Sequence, residues 1–471
     1  MLGSVVGDPT PVVGLASRVP PAAQYLLVHE SLLFTAGGDP HETFRSFVSA
    51  LSTHRDFIAK STRQTYLYSD DAPPAELVSL VASCATAGPV GTDAAIEPAI
   101  VPPPVRSASR ETMLVRRPRR PGGGPPPLAL LGAGDYARTQ ILPALRRPAV
   151  ALAVVADREP QVGAAIAEEA GFDAVTTSAI EAIEHLERPG IVLIATYHDS
   201  HANLAAAALD AGHRVFVEKP PAVTPADVDL LVRAVEEGGR GIDVGFNRRH
   251  HPFAEQSRAL LAAETGPFTI TCLVREVSIE PDHWYLWPNQ GTRVTGNLCH
   301  WIDLAVFLMG SHALPETVQA SPPLTDAPER RDEERVVSVT FDDGSLLTVV
   351  ATGRGDDILG VQETIEARRG RLTLAIDDFR SLRTVRAGAR RTSRRLWRDK
   401  GHSRMFADVL NRLAAGRPGA YPTRDLVLVS AIQIAASRAA LLGESDLDPA
   451  AYARSRLEQL GGHVEPPVPV P

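Results

Sequence analysis

The hydrophobic pattern changes twice along the chain, and each change marks a different architecture. Short, β-branched apolar runs recur between residues 128 and 246: "LALLG" at 128–132, "ALAVVAD" at 151–157, "AVTTS" at 174–178, "IVLIAT" at 191–196, "RVFVE" at 214–218 and "IDVGF" at 242–246. Helical stretches such as "QVGAAIAEEAG" and "SHANLAAAALDAG" lie between them, and glycine closes several as a left-handed cap requires. Apolar runs spaced by helices predict βαβ units and a parallel, doubly wound sheet covered on both faces. Beyond about 250, strand-like runs follow one another at 268–277, 335–341, 345–352, 362–370 and 371–377, some separated only by turns such as "DDGS". That predicts a second, α+β domain with a mostly antiparallel sheet, closed by helices near 402–415 and 424–442.

The sharpest break in pattern is "VRRPRRPGGGPPP" at 115–127, which has no hydrophobic period and reads as a linker. The region before it holds a candidate strand, "QYLLVHESLLF", and candidate helices at 41–54 and 74–85. The expected division is an extra region of unknown role over 1–120, a linker over 121–127, a nucleotide-binding domain over 128–247, a second domain over 248–445 and a tail over 446–471. "RAGARRTSRRLWRDK", 386–400, reads as a basic surface loop, and the final "EPPVPVP" as a disordered end.

Composition narrows the class without fixing the chemistry. The chain has 471 residues, 44% of them hydrophobic and 22% charged, with a formal net charge of −8. Such a balance suits a soluble globular protein of more than one domain and argues against a general nucleic-acid binder. Three cysteines without CxxC spacing make a disulfide scaffold or structural zinc site an unsuitable reading, and no metal site is expected. With no signal-peptide pattern and no long apolar run, the expectation is a cytoplasmic protein that does not cross a membrane.

The first strand of the parallel region runs into "GAGDYA", 132–137, and then a helix. Gly132 permits the tight turn, Gly134 lets the backbone approach a pyrophosphate, and Ala137 keeps helix and strand close. Ala133, Asp135 and Tyr136 complete the loop, whose helix offers free N–H groups to the phosphates. Asp157, 25 residues after Gly132, ends the second strand, where a carboxylate accepts both ribose hydroxyls and repels a 2′-phosphate. NAD is therefore the expected cofactor, with NADP the alternative because Arg158 follows at once. Asp157 also reads as a simple helix cap.

Two further stretches carry candidate chemistry. Lys219 closes the fifth strand on the sheet edge where open α/β folds bind ligands, and Pro220 stops the strand there. In "GTRVTGNLCHWIDLAVFLMG", 291–310, His300 and Asp303 share a helix face, and a histidine can take a hydroxyl proton near neutral pH. A catalytic set of Lys219, His300 and Asp303 follows, with Asp303 orienting His300. Asn247, Arg248, Arg249, Trp284 and Asn297 are candidates for binding substrate, the arginines suiting a carboxylate or phosphate.

"GAGDYA", "IATYHDSHANLAAAALDAGHRVFVEKPPA" and "CHWID" together resemble the Gfo/Idh/MocA oxidoreductases. "VGFNRRHHPF", "IDDFRSL" and "DKGH" are similar to the catalytic half of bi-domain members. The likeness covers about 128–445. It implies a Rossmann domain, an open-faced second domain that often builds dimers or tetramers, and NAD(P)-dependent chemistry on sugars, sugar acids, nucleotide sugars or cyclitols. It implies catalytic roles for Lys219 and His300, matches Asp303, and matches Thr196, His198 and His201 to the loop beneath the nicotinamide, with Glu218 beside Lys219. Many members carry an acidic residue shortly before the histidine, where this chain has Gly296 and Asn297. Two other readings keep the fold but change the outcome: a tightly NAD-bound, glycosidase-like enzyme with transient redox, and a non-catalytic NAD(H)-binding scaffold.

Overall fold

The computed structural model describes residues 24–28, 58–61, 64–69, 114–115, 124–145, 150–186, 188–277, 283–286, 290–310, 313–321, 335–355, 358, 360–442 and 447–459. The chain divides into two compact units, Met1–Arg110 with Pro281–Asn289, and Glu111–Glu280 with Gln290–Pro471. In the first unit, β1 (Gln24–Val28), β2 (Ile58–Ser61) and β3 (Gln64–Ser69) form an antiparallel sheet in the order β1-β3-β2. The expected helices at 41–54 and 74–85 lie outside the described residues.

The second unit opens with β4 (Leu114–Val115), then β5 (Pro127–Leu131), β6 (Ala151–Ala156), β7 (Ala174–Thr176), β8 (Ile191–Ile194), β9 (Arg214–Val217) and β10 (Ile242–Val244). They make one sheet in the order β10-β9-β8-β5-β6-β7-β4, parallel except for β4. Every residue of β5 and β8 is buried, as a sheet covered on both faces demands. The chain winds outward from β5 through β6 to β7, then restarts at β8 on the other side. The carboxyl ends of β5 and β8 therefore flank the switch point where such sheets bind ligands. The expected linker contracts, because Leu114–Val115 pairs with β7 and Pro127 already begins a strand, a position that tolerates proline.

The remaining strands are β11 (Phe268–Arg275), β12 (Pro315–Ala320), β13 (Arg335–Phe341), β14 (Leu346–Thr352), β15 (Gln362–Arg369), β16 (Leu372–Asp377), β17 (Ser381–Arg386) and β18 (Ala389–Arg394). Their order is β12-β13-β14-β11-β15-β16-β17-β18, antiparallel except for the β11–β14 pair. Alternate residues of β11 are buried and exposed, so one face packs inward and the other stays open. The helices Cys299–Met309 and Thr423–Leu442 pack against each other on the inner side.

Three expectations change here. The basic stretch at 386–400 is mostly the hairpin β17–β18 rather than a loop; its arginines face solvent while the backbone completes a ladder. The helix His402–Ala414 sits in the core of the nucleotide-binding sheet, where Phe406 meets Phe216 at 5.4 Å, so the boundary at 247 does not hold as a line in sequence. The stretch after 446 is not all tail: Pro449–Gln459 is a helix whose Tyr452 and Arg456, one turn apart, both bind Asp229.

Candidate active site

The glycine-rich loop is fixed from both sides. Gly132 has φ +88°, and a Cβ added there would lie 2.4 Å from the Ala195 carbonyl oxygen, so the turn after β5 can pass β8 only without a side chain. A Cβ on Gly134 would meet nothing within 4 Å, which leaves open space beside the backbone where a pyrophosphate approaches. Asp157 at the end of β6 accepts the Ala133 N–H at 2.7 Å and the Glu159 N–H at 2.9 Å, so the same carboxylate pins the loop and caps the following turn. Asp135 and Tyr136 begin the helix, Ala137 is buried against the sheet, and Arg138 is the residue whose N–H closes on Gly134. The amides of that first turn have no intrahelical acceptor and suit an anion. Arg158 stacks over the Tyr197 ring at 5.0 Å rather than standing free for adenine. These residues fit a dinucleotide such as NAD.

The loop after β8 is built on buried histidines. His201 sits between the carbonyls of Pro220 (Nδ1, 2.8 Å) and Thr196 (Nε2, 3.0 Å), which ties the Lys219 turn to the Thr196 turn. His198 Nδ1 meets the Gln290 carbonyl at 3.0 Å, and the Thr196 and Ser200 hydroxyls share a hydrogen bond. Both ring nitrogens of His201 are taken up by the Pro220 and Thr196 carbonyls and burial lowers its pKa, so its part is structural.

Lys219 emerges from β9 partly exposed, and its ammonium donates to the Gly296 carbonyl at 2.8 Å. Gly296 lies in a π-turn, Val294–Leu298, that leads into the helix bearing His300. Such widened turns shift backbone hydrogen bonds and occur often at functional sites. A backbone oxygen thus holds the lysine. Behind it, Glu218 is buried; burial pushes its pKa up to about 7, against the Tyr136 hydroxyl bond and the nearby Lys219 charge.

His300 is partly exposed, and its Nδ1 makes no hydrogen bond among the described residues. Desolvation, then the charges of Arg248, Lys219, His402 and Lys400, hold it well below the ordinary histidine value, so the ring is neutral at neutral pH and able to accept a proton. The Lys219 charge acts on this ring, although the two residues lie 81 positions apart in sequence.

Several expected roles change. Asp303 does not orient His300: Arg249 holds both of its carboxylate oxygens, and the Tyr421 hydroxyl donates to Oδ1 at 2.7 Å. Burial pushes Asp303 up to about 6 against the pull of Arg249. Arg249 also reaches Asp425, and Arg248 is bidentate on Glu363, so neither arginine is free for substrate; both are buried. Asn247 is fully buried and donates to the Lys400 carbonyl at 2.6 Å, so it positions the "DKGH" turn rather than touching a ligand. Asn297 is partly exposed and turns its amide N–H toward Glu276. Trp284 belongs with the first unit, in a short turn where its ring packs on Tyr285 and His283. Glu363, Lys400, His402 and Tyr421 were not singled out from sequence; "DKGH" was the one signal that pointed at two of them.

Residues 128–246 match the family model described as "Oxidoreductase family, NAD-binding Rossmann fold". The chain is 26% identical over 252 residues to inositol 2-dehydrogenase of Rhizobium meliloti (strain 1021), covering 53% of this chain and 75% of the relative. It is likewise 26% identical over 239 residues to inositol 2-dehydrogenase 1 of Saccharopolyspora erythraea, covering 50% and 68%. In fold it is similar to an oxidoreductase domain protein from Kribbella flavida, with TM-score 0.59 and 21% identity, covering 68% of this chain and 98% of that one. It is similar also to levoglucosan dehydrogenase in complex with NADH, with TM-score 0.57 and 20% identity, covering 68% and 98%. Residues 128–246 belong to the Gfo/Idh/MocA oxidoreductase family.

Proposed function

We propose that this member of the Gfo/Idh/MocA family is an NAD-dependent dehydrogenase or reductase that acts on one secondary hydroxyl of a sugar or cyclitol. The observation that carries the reading is that the Lys219 ammonium, at the carboxyl end of β9, is tied to the turn that leads into the His300 helix and acts on a neutral His300 ring. Gly132, Ala133, Gly134, Asp135 and the first turn of the following helix would hold the dinucleotide, which supplies the hydride acceptor. His300 takes the hydroxyl proton on its imidazole as the carbinol is oxidised. The Lys219 ammonium lies against the oxygen on which negative charge grows, a kind of help often worth a few kcal/mol. Asp303, through Arg249 and Tyr421, fixes the frame of the His300 helix instead of the ring itself. Asn297 remains a substrate contact in this reading. The exposed outer face of the second sheet, where Leu273 and Leu346 stand 53% and 45% exposed, suits contact with a second copy, which light scattering would detect.

Turnover of a panel of neutral sugars, sugar acids, nucleotide sugars and cyclitols, followed by the absorbance of reduced nicotinamide with NAD and NADP in parallel, tests the reading. Oxidation of one class with NAD preferred supports it; absence of turnover across the panel by protein that binds NAD overturns it.

A further inference from the structure

Glu363 is a single carboxylate serving two cations. Arg248 donates to it from Nε at 2.6 Å and Nη2 at 3.2 Å, Trp301 Nε1 donates at 2.7 Å, and the Lys400 ammonium donates at 2.9 Å. Both carboxylate oxygens are thereby filled, and the side chain is fully buried. Burial alone would raise its pKa, but Arg248 and Lys400 outweigh that and hold it below the usual range. One carboxylate balances one charge. Arg248 already takes Glu363 in the two-pronged geometry that makes such pairs strong, so Lys400 brings a second positive charge to this carboxylate, offset in part by Asp378 nearby.

Lys400 has three N–H donors. Glu363 Oε1 takes one and the Val361 carbonyl, at 2.9 Å, takes another; the third has no acceptor among the described residues. The side chain is 15% exposed, whereas that of Glu363 beneath it is closed off. Its turn is set where the second sheet hands the chain back to the nucleotide-binding sheet: Asn247, just past β10, grips the Lys400 carbonyl, and His402 opens the helix that packs under β9. Phe246, next to Asn247, lies edge-on to the His300 ring at 6.0 Å. Lys400 therefore stands on the His300 side of the site, partly open to solvent, with a donor to spare. A purely structural strut would not need to be a second cation on a saturated carboxylate.

We propose that Lys400 is a specificity residue that donates its remaining N–H to an anionic oxygen group, a carboxylate or a phosphate, carried by the sugar. The site then prefers acidic or phosphorylated carbohydrates over neutral ones. The inference rests on the reading above that the sugar lies beside His300.

The test is equilibrium binding to the full-length chain saturated with NADH, measured by calorimetry with glucose, glucuronate and glucose 6-phosphate. Wild type is expected to bind one of the two anions about tenfold or more tightly than glucose. Lys400→Met removes that preference and Lys400→Arg keeps it. The arm that is favoured identifies carboxylate or phosphate. Equal binding of the three sugars to wild type overturns the proposal, as does a preference that survives Lys400→Met. If Lys400→Met weakens glucose and the anions alike while lowering the melting temperature, Lys400 is a strut and the proposal falls. Anion binding that depends on Lys400, in a protein that oxidises no carbohydrate, keeps this inference and sinks the dehydrogenase reading.

Discussion

The two walls of the site are made of different materials. The cofactor wall is largely backbone: a glycine turn against Ala195, amides at a helix start, and carbonyls that receive His201 and Lys219. The wall we propose for the substrate is made of buried charged side chains in pairs, Arg248 with Glu363 and Arg249 with Asp303. Backbone surfaces come from local geometry and stay in place when one side chain changes. Ion pairs in a closed interior hold only while both partners are present.

Removing the groups that protrude between the walls should have the largest effect. Lys219→Ala and His300→Ala are each expected to lower kcat/KM by roughly 10³-fold while leaving NAD binding in place, read by steady-state kinetics and cofactor titration. If either variant keeps near-wild-type rates, the site has been assigned wrongly. Within the substrate wall, Glu363→Gln strands two cations and should cost about 3–5 kcal/mol in denaturant unfolding. A loss under 1 kcal/mol would show that the charged wall is not the sensitive one.

Glu218 tests the cofactor wall through pH. Burial raises its pKa from 4.5 to about 7, so the stability it contributes is whole below pH 4.5 and is lost as pH rises through 7. Wild type should lose about 1–3 kcal/mol relative to Glu218→Gln between pH 4.5 and 8. Parallel stability curves for the two proteins would refute this. The smallest effect belongs to Gly134→Ala. With open space around the added methyl, the melting temperature should hold while NAD affinity falls about tenfold, near 1.4 kcal/mol.

The same contrast explains what could be read from the chain alone. The parallel sheet, the glycine loop and Lys219 were legible because each depends on neighbours in sequence: an apolar run, a turn, a strand end. The wall around His300 was not, because its pairs span 54 positions for Arg249 with Asp303, 115 for Arg248 with Glu363 and 153 for Asn247 with Lys400. A buried arginine in a motif such as "FNRRH" looks the same on paper whether it waits for a ligand or has met a carboxylate elsewhere in the fold. For the same reason the arginine-rich stretch at 386–400 suggested a loop: its polarity hid a hairpin whose pairing depends on β16.

The grip of Gly296 on Lys219 has a consequence for how the enzyme would respond to acid. An amide oxygen neither gains nor loses a proton across the range in which proteins stay folded, so acidification leaves the acceptor of this tether unchanged. A carboxylate in its place would let go on acidification. The acidic limb of a rate profile should therefore report the imidazole, and it should begin below 6.5, the ordinary histidine value.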